Sequence, residues 1–266
     1  MLKSNNLYLG DCLDLLAKIE DQTVDLVFLD PPYNLQLNKV LTRPNHSIVN
    51  GVNHDWDKFD SYSSYDDFTF SYLTECKRVL KPDGGLWIIG SYHNIFRIGK
   101  ILQDLNFWIL NDVIWAKSNP LPNFRATRLT NAHETLIWCS KKPKSKYQFN
   151  YHTLKVANED RQERSIWNFP ICSGKERLKN NKNQTAHPTQ KPLALMKKII
   201  IQSSIQGDLV LEPFAGTASF CAEAKYLGRN YIGFEKDVTY FKLAVKRLKK
   251  IKSLKNDLLE INEKDK

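Results

Sequence analysis

Asp30-Pro31-Pro32-Tyr33 is the segment whose residue types most plainly invite chemistry. It follows Val24-Asp25-Leu26-Val27-Phe28-Leu29, an apolar run that reads as a buried parallel strand. Two prolines then forbid further ladder pairing. A carboxylate, rigid carbonyls and an aromatic ring are thus offered together at a strand end, where open α/β sheets place their sites. The plain alternative is a stiff turn with an exposed acid, because Pro-Pro is a common loop signal. The strand-end position and the tyrosine favour a function. A second strand end is Leu211-Glu212-Pro213-Phe214-Ala215-Gly216-Thr217-Ala218-Ser219, where Gly216 would let a ligand approach the backbone at a helix N-terminus. Alone, that turn is a weak signal and more often an ordinary connection. Glu235 closes the next strand, 235 − 216 = 19 positions beyond Gly216, and an acid at such spacing can accept hydrogen bonds from a ribose diol. The chain lacks G-x-G-x-x-G, which disfavours a nicotinamide dinucleotide.

These residues need a frame to hold them, and hydrophobic periodicity supplies it. Residues 10–19 have helical spacing with Asp11 as N-cap, and helices are predicted over 65–80, 95–105, 192–204, 217–227 and 237–251. Short apolar runs at 24–29, 86–89, 108–115, 134–139, 208–211 and 231–234 read as strands. Strands alternating with helices of this length predict an α/β fold, doubly wound around a mostly parallel sheet. Polar or basic stretches interrupt the alternation at about 34–64, 117–133 and 141–189, and loops of that length are commonly functional. A single domain over 1–251 with a charged tail over 252–266 is the expected organisation. Trp87, Trp108 and Trp115 sit in strand patterns and are predicted to be core.

Composition narrows the partners. The chain has 266 residues with 39 Lys+Arg against 29 Asp+Glu, a net charge of +10 that suits a polyanionic partner or mere solubility. No apolar run approaches the roughly 20 residues of a membrane span, and no signal-peptide pattern opens the sequence. A cytoplasmic protein is the default expectation. The five cysteines, Cys12, Cys76, Cys139, Cys172 and Cys221, form no C-x-x-C pair, which argues against a disulfide framework and a zinc site. No metal is expected.

Taken together, these residues resemble the S-adenosylmethionine-dependent amino-group DNA methyltransferases, in the order with the catalytic motif first and the cofactor motif last. Asp30-Pro31-Pro32-Tyr33 is similar to that family's catalytic motif, and Glu212-Pro213-Phe214-Ala215-Gly216 to its cofactor motif. His187-Pro188-Thr189-Gln190-Lys191-Pro192 looks like its methionine-binding segment, and Gly10-Asp11-Cys12 like the segment that reaches the cofactor's adenine. Longer stretches, residues 90–97, 117–120 and 131–138, resemble the cell-cycle-regulated adenine methyltransferases and their relatives that modify GANTC. The chain departs from the pattern at Ala218, where the family has a second glycine, and at Glu212, where it usually has Asp.

The resemblance implies a Rossmann-like fold whose interrupting loops recognise DNA. It implies S-adenosylmethionine held by Asp11, Cys12, Asp30, His187, Thr189, Lys191, Glu212, Phe214, Gly216, Thr217, Ala218 and Glu235. Catalysis falls to Asp30, Pro31, Pro32 and Tyr33. The carboxylate of Asp30 and the carbonyl of Pro31 would accept the two N–H groups of adenine's amino nitrogen and localise its lone pair, with Tyr33 stacking on the base. The base must first leave the duplex. Double-stranded DNA is the expected partner, with a second copy of the chain and a cognate restriction endonuclease as further candidates. Arg125, Arg128, Asn119 and Asn123 lie in a loop that could read bases or hold phosphates. His187 is assigned by its motif, whereas His93 and His133 are more commonly satisfied polar residues. Competing readings are a cytosine-N4 methyltransferase, an RNA substrate, and a basic binding module without catalysis. Asp30, where cytosine enzymes often have Ser, favours adenine.

Overall fold

The computed structural model describes residues 2–35, 41–42, 48–49, 57–123, 125–179 and 183–254. Its strands are β1 (Asn6–Leu9), β2 (Val24–Leu29), β3 (Leu41–Thr42), β4 (Ile48–Val49), β5 (Leu80–Gly90), β6 (Trp108–Lys117), β7 (His133–Ser140), β8 (Ile166–Phe169), β9 (Leu209–Glu212) and β10 (Asn230–Glu235). Its helices are α1 (Cys12–Leu16), α2 (Tyr62–Val79), α3 (Ile95–Asp104), α4 (Tyr151–Ala157), α5 (Leu193–Ser203), α6 (Ser219–Tyr226) and α7 (Val238–Lys250). Eight strands form one sheet in the order β1-β10-β9-β2-β5-β7-β6-β8, and β3 pairs with β4 apart from it. Pairing is parallel from β1 through to β5 and between β6 and β8, while β7 runs antiparallel to both neighbours. No helix among the described residues is long and apolar enough to cross a membrane.

Strand alternation splits the core into two layers. Val27, Leu29, Leu86 and Ile88 face α1, α2 and α3, whereas Leu26, Phe28, Trp87 and Ile89 face α5 and α6. Both faces are covered, which makes the sheet doubly wound. Local chemistry sets the helix starts. Asp11 accepts from the Leu13 N–H, Ser61 and Ser64 form a reciprocal capping box, and Asp237 accepts from Thr239 and Tyr240.

Several expectations need correction. Lys81-Pro82-Asp83-Gly84-Gly85 reads as a loop, yet β5 already starts at Leu80 opposite Val24. The register then jumps so that Leu26 faces Gly85, and the extra residues are absorbed as an irregularity. Trp108 is not core but 53% exposed, at the start of β6, where β8 does not yet pair with that strand. Within 141–189, where only irregular chain is predicted, α4 and β8 form, and Trp167 of β8 packs 5.5 Å from Trp87. Parts of the 34–64 and 141–189 stretches, and the tail beyond 254, lie outside the described residues.

Candidate active site

The carboxyl ends of β1, β2, β9 and β10 lie side by side, and a cavity of about 670 Å³ opens over them. Asp11 and Cys12 enter its wall after β1, Asp30 to Tyr33 after β2, Glu212 to Thr217 after β9, and Glu235 at the end of β10. His187, Thr189 and Lys191 close it from the segment that leads into α5. At Gly216 the backbone takes φ +52°, and a Cβ there would lie 3.2 Å from the His187 ring. Both features favour glycine there. The Gly216 N–H donates to Glu235 (2.6 Å), whose other oxygen accepts from the Asp237 N–H (2.7 Å). Burial pushes the Glu235 carboxyl up to about 7. Glu212 acts on the scaffold instead. It accepts from the N–H groups of Cys221 (2.9 Å) and Phe220 (3.3 Å) and so caps α6. Burial pushes its carboxyl up to about 8. Burial also holds the Cys12 thiol at about 12, so it contributes shape and not a thiolate.

The loop after β2 is tied down atom by atom. Asp57 accepts from the backbone N–H groups of Tyr33 (2.7 Å), Asn34 (2.8 Å) and Leu35 (3.0 Å). The Tyr65 hydroxyl donates to the Pro32 carbonyl (2.8 Å), and the Asn94 amide supports that hydroxyl (3.1 Å). The Pro31 carbonyl accepts no hydrogen bond among the described residues. One carbonyl is thus committed to the scaffold, and its neighbour is not, among the described residues.

Beside Asp30 lies a buried network of charges. The Lys191 ammonium is 2.9 Å from the Asp30 carboxylate and 3.6 Å from that of Glu134. Glu134 also meets Lys117 (2.8 Å) and accepts from the Tyr33 hydroxyl (2.9 Å). The Lys191 ammonium lies 5.1 Å over the Tyr33 ring. Burial raises the Asp30 carboxyl, against the pull of Lys191. Burial would raise Glu134 too, but Lys191 and Lys117 outweigh it and leave that carboxyl below its ordinary value. Burial disfavours the Lys191 ammonium, yet the two carboxylates hold it above its ordinary value.

Comparison with known proteins accounts for this arrangement. Residues 24–246 match the family model described as "DNA methylase". The chain belongs to the DNA methylase family. The methylase is 51% identical over 254 residues to the Type II methyltransferase M.HinfI of Haemophilus influenzae, covering 96% of this chain and 71% of that protein. It is 39% identical to the Type II methyltransferase M2.MboI of Moraxella bovis, covering 96% and 92%. Among solved structures, the complex of M1.HpyAVI with SAM superposes with a TM-score of 0.66 at 29% identity, over 91% of this chain and 98% of that one.

The structure brings the predicted residues of the methylase to one cavity with one exception. Ala218 takes φ +54° but is fully buried in the core and does not line the cavity. Its methyl therefore points away from the ligand space. His93 and His133 also lie outside the cavity wall. Asn119 accepts from the Ile171 N–H (2.7 Å), which ties two loops together and commits its carbonyl oxygen. Glu134, Lys117 and Asp57 join the site without a local signal in the sequence. Glu134 and Lys117 fall in stretches marked only by their family likeness, and Asp57 in a polar loop with no periodic pattern.

Proposed function

We propose that the methylase transfers a methyl group from S-adenosylmethionine to the exocyclic N6 of a flipped-out adenine in double-stranded DNA, within GANTC. The observation that carries this reading is the division of labour in the loop after β2. Tyr65 takes the Pro32 carbonyl, while the Asp30 carboxylate and the unclaimed Pro31 carbonyl stand at the wall of the cavity that Gly216 and Glu235 also line. Two acceptors side by side suit an amino group with two N–H bonds. Bound S-adenosylmethionine supplies a sulfonium methyl as the electrophile. Glu235 is placed for the ribose diol, and the Gly216 turn admits the cofactor's backbone contacts. Asp30 and Pro31 draw the amino nitrogen toward a pyramidal geometry, and their alignment with the cavity supplies proximity. Tyr33, held by Glu134, offers a ring for the extruded base.

The choice of adenine over cytosine rests on Asp30, and GANTC rests on the likeness of residues 90–97, 117–120 and 131–138 to enzymes of that specificity. The exposed Arg125 and the Arg128 guanidinium, which meets the Tyr92 hydroxyl at 2.5 Å, give the loop over 117–133 positive charge for DNA. Work on chromosomal or plasmid DNA implies a cytoplasmic site of action, and a second copy of the chain and a cognate endonuclease are its candidate partners. The test is sequencing, with modified-base detection, of plasmid DNA from a host expressing the chain. N6-methyladenine at GANTC is the expected result. Marks on cytosine, or no marks, overturn the reading.

A further inference from the structure

Lys191 stands between two carboxylates, nearer to Asp30 at 2.9 Å than to Glu134 at 3.6 Å. In this state the ammonium occupies one of the two Asp30 oxygens, the carboxylate that the substrate amine would use. An incoming N–H therefore competes with a buried cation for the same carboxylate, and a buried cation left without a partner is costly. The remedy lies within the same cluster. The ammonium needs to move by only about an ångström to make a contact of ordinary ion-pair length, about 2.8 Å, with Glu134.

We infer that Glu134 is a positioning residue that takes over the Lys191 ammonium when the substrate amine occupies Asp30. This rests on the reading of Asp30 as acceptor of the target amine. Glu134 suits that role because its position is fixed independently of Lys191. It sits in β7 opposite Trp115 of β6, and Lys117 and the Tyr33 hydroxyl each hold one of its oxygens. The groups facing Asp30 are Lys191, Glu134 and Tyr33, and those facing Glu134 are Lys191, Lys117 and Tyr33. Two carboxylates thus balance two ammonium groups. Removing the Glu134 charge leaves both ammonium groups with Asp30 as the sole carboxylate, so Lys191 is held on Asp30 and competes with substrate. Lys191 also lines the cavity proposed for the cofactor, so its shift links the two halves of the site.

The test is single-turnover methylation of unmethylated plasmid DNA at saturating S-adenosylmethionine across pH, with wild type, Glu134→Gln and Asp30→Ala. Glu134→Gln should slow transfer about ten- to a hundredfold, the worth of one charge-assisted hydrogen bond. The acid limb of its rate profile should move to lower pH, because Lys191 then acts on Asp30 without an opposing negative charge. Cofactor affinity, read by calorimetry without DNA, should fall less than the transfer rate, since Glu134 does not line the cavity and reaches it only through Lys191. A wild-type rate overturns the inference. So does a slower rate with an unmoved acid limb, or with an equal loss of cofactor affinity, since either marks a merely structural role. An active Asp30→Ala would instead overturn the acceptor reading itself, and an inactive one beside a normal Glu134→Gln removes only the role of Glu134. Should Glu134→Gln not fold, Glu134→Asp keeps the charge but draws it back. It should transfer more slowly with the acid limb in place, and a wild-type rate there overturns the inference.

Discussion

The two halves of the sheet edge differ in strand polarity. On one side, β1, β10, β9 and β2 run parallel, and each delivers its residues from its carboxyl end: Asp11, Glu235, Gly216 and Asp30. On the other side β7 is antiparallel to β5, so it brings its amino end, with Glu134, to the same edge. Strand β6 turns back again and delivers Lys117 from its carboxyl end. The first half is built around backbone donors, with the Glu212 and Glu235 carboxyls raised by burial. The second is built from paired charges that hold one another. On the proposed reading, the parallel half grips the cofactor through its backbone, whereas the mixed half controls one carboxylate.

This division is tested most severely at the residue the halves share. Asp30→Ala should reduce methyl transfer about a hundredfold or more, the usual scale for a lost transition-state acceptor, with cofactor binding nearly intact. Near-normal turnover would show that the charged half does not serve catalysis. Glu235→Ala should do the reverse. It should weaken S-adenosylmethionine about ten- to a hundredfold, and turnover should largely return at saturating cofactor. With the Glu235 carboxyl raised to about 7, protonation below that pH removes its acceptor charge, so cofactor affinity should fall as pH drops through that range. Calorimetry across pH reads both effects, and a flat affinity profile would remove Glu235 from the site.

Asp57→Ala probes the seam, since Asp57 fixes the loop where the halves meet. It leaves three N–H groups without their carboxylate. Unsatisfied buried donors cost about 1–3 kcal/mol each in the worst case, so the melting temperature should drop by several degrees. Turnover should fall about tenfold, more than cofactor affinity, because the acceptors lose their aim. Equal losses in both would mean that the loop serves the halves alike. The smallest effect is expected at Ala218→Gly. Relief of a left-handed backbone, worth about 1 kcal/mol, is offset by loss of a buried methyl worth about 0.8 kcal/mol. Stability and cofactor affinity should both be nearly unchanged. A clear gain in affinity would show that the methyl does reach the ligand.

Much of this molecule is legible from local sequence. The apolar run before Asp30, the turn around Gly216 and the acid at 235 each announce themselves, because a parallel strand, a tight turn and a helix cap all obey short-range rules. The alternation of strand and helix yields the α/β class for the same reason. The remaining features depend on neighbours that the chain acquires only on folding. Glu134 lies 101 positions from Tyr33, and Lys191 lies farther still from Asp30, so no local pattern couples them. The strand order puts β7 beside β5 in reverse direction, and that reversal carries Glu134 to an edge where a rule about carboxyl ends would never look. The register jump in β5, the exposed Trp108 and the placement of Asp57 under the loop likewise depend on which strands and loops come together. Burial finally sets the charges. A lysine between two acids has little consequence in water, and it governs a carboxylate only where the fold has excluded the water that would otherwise screen them.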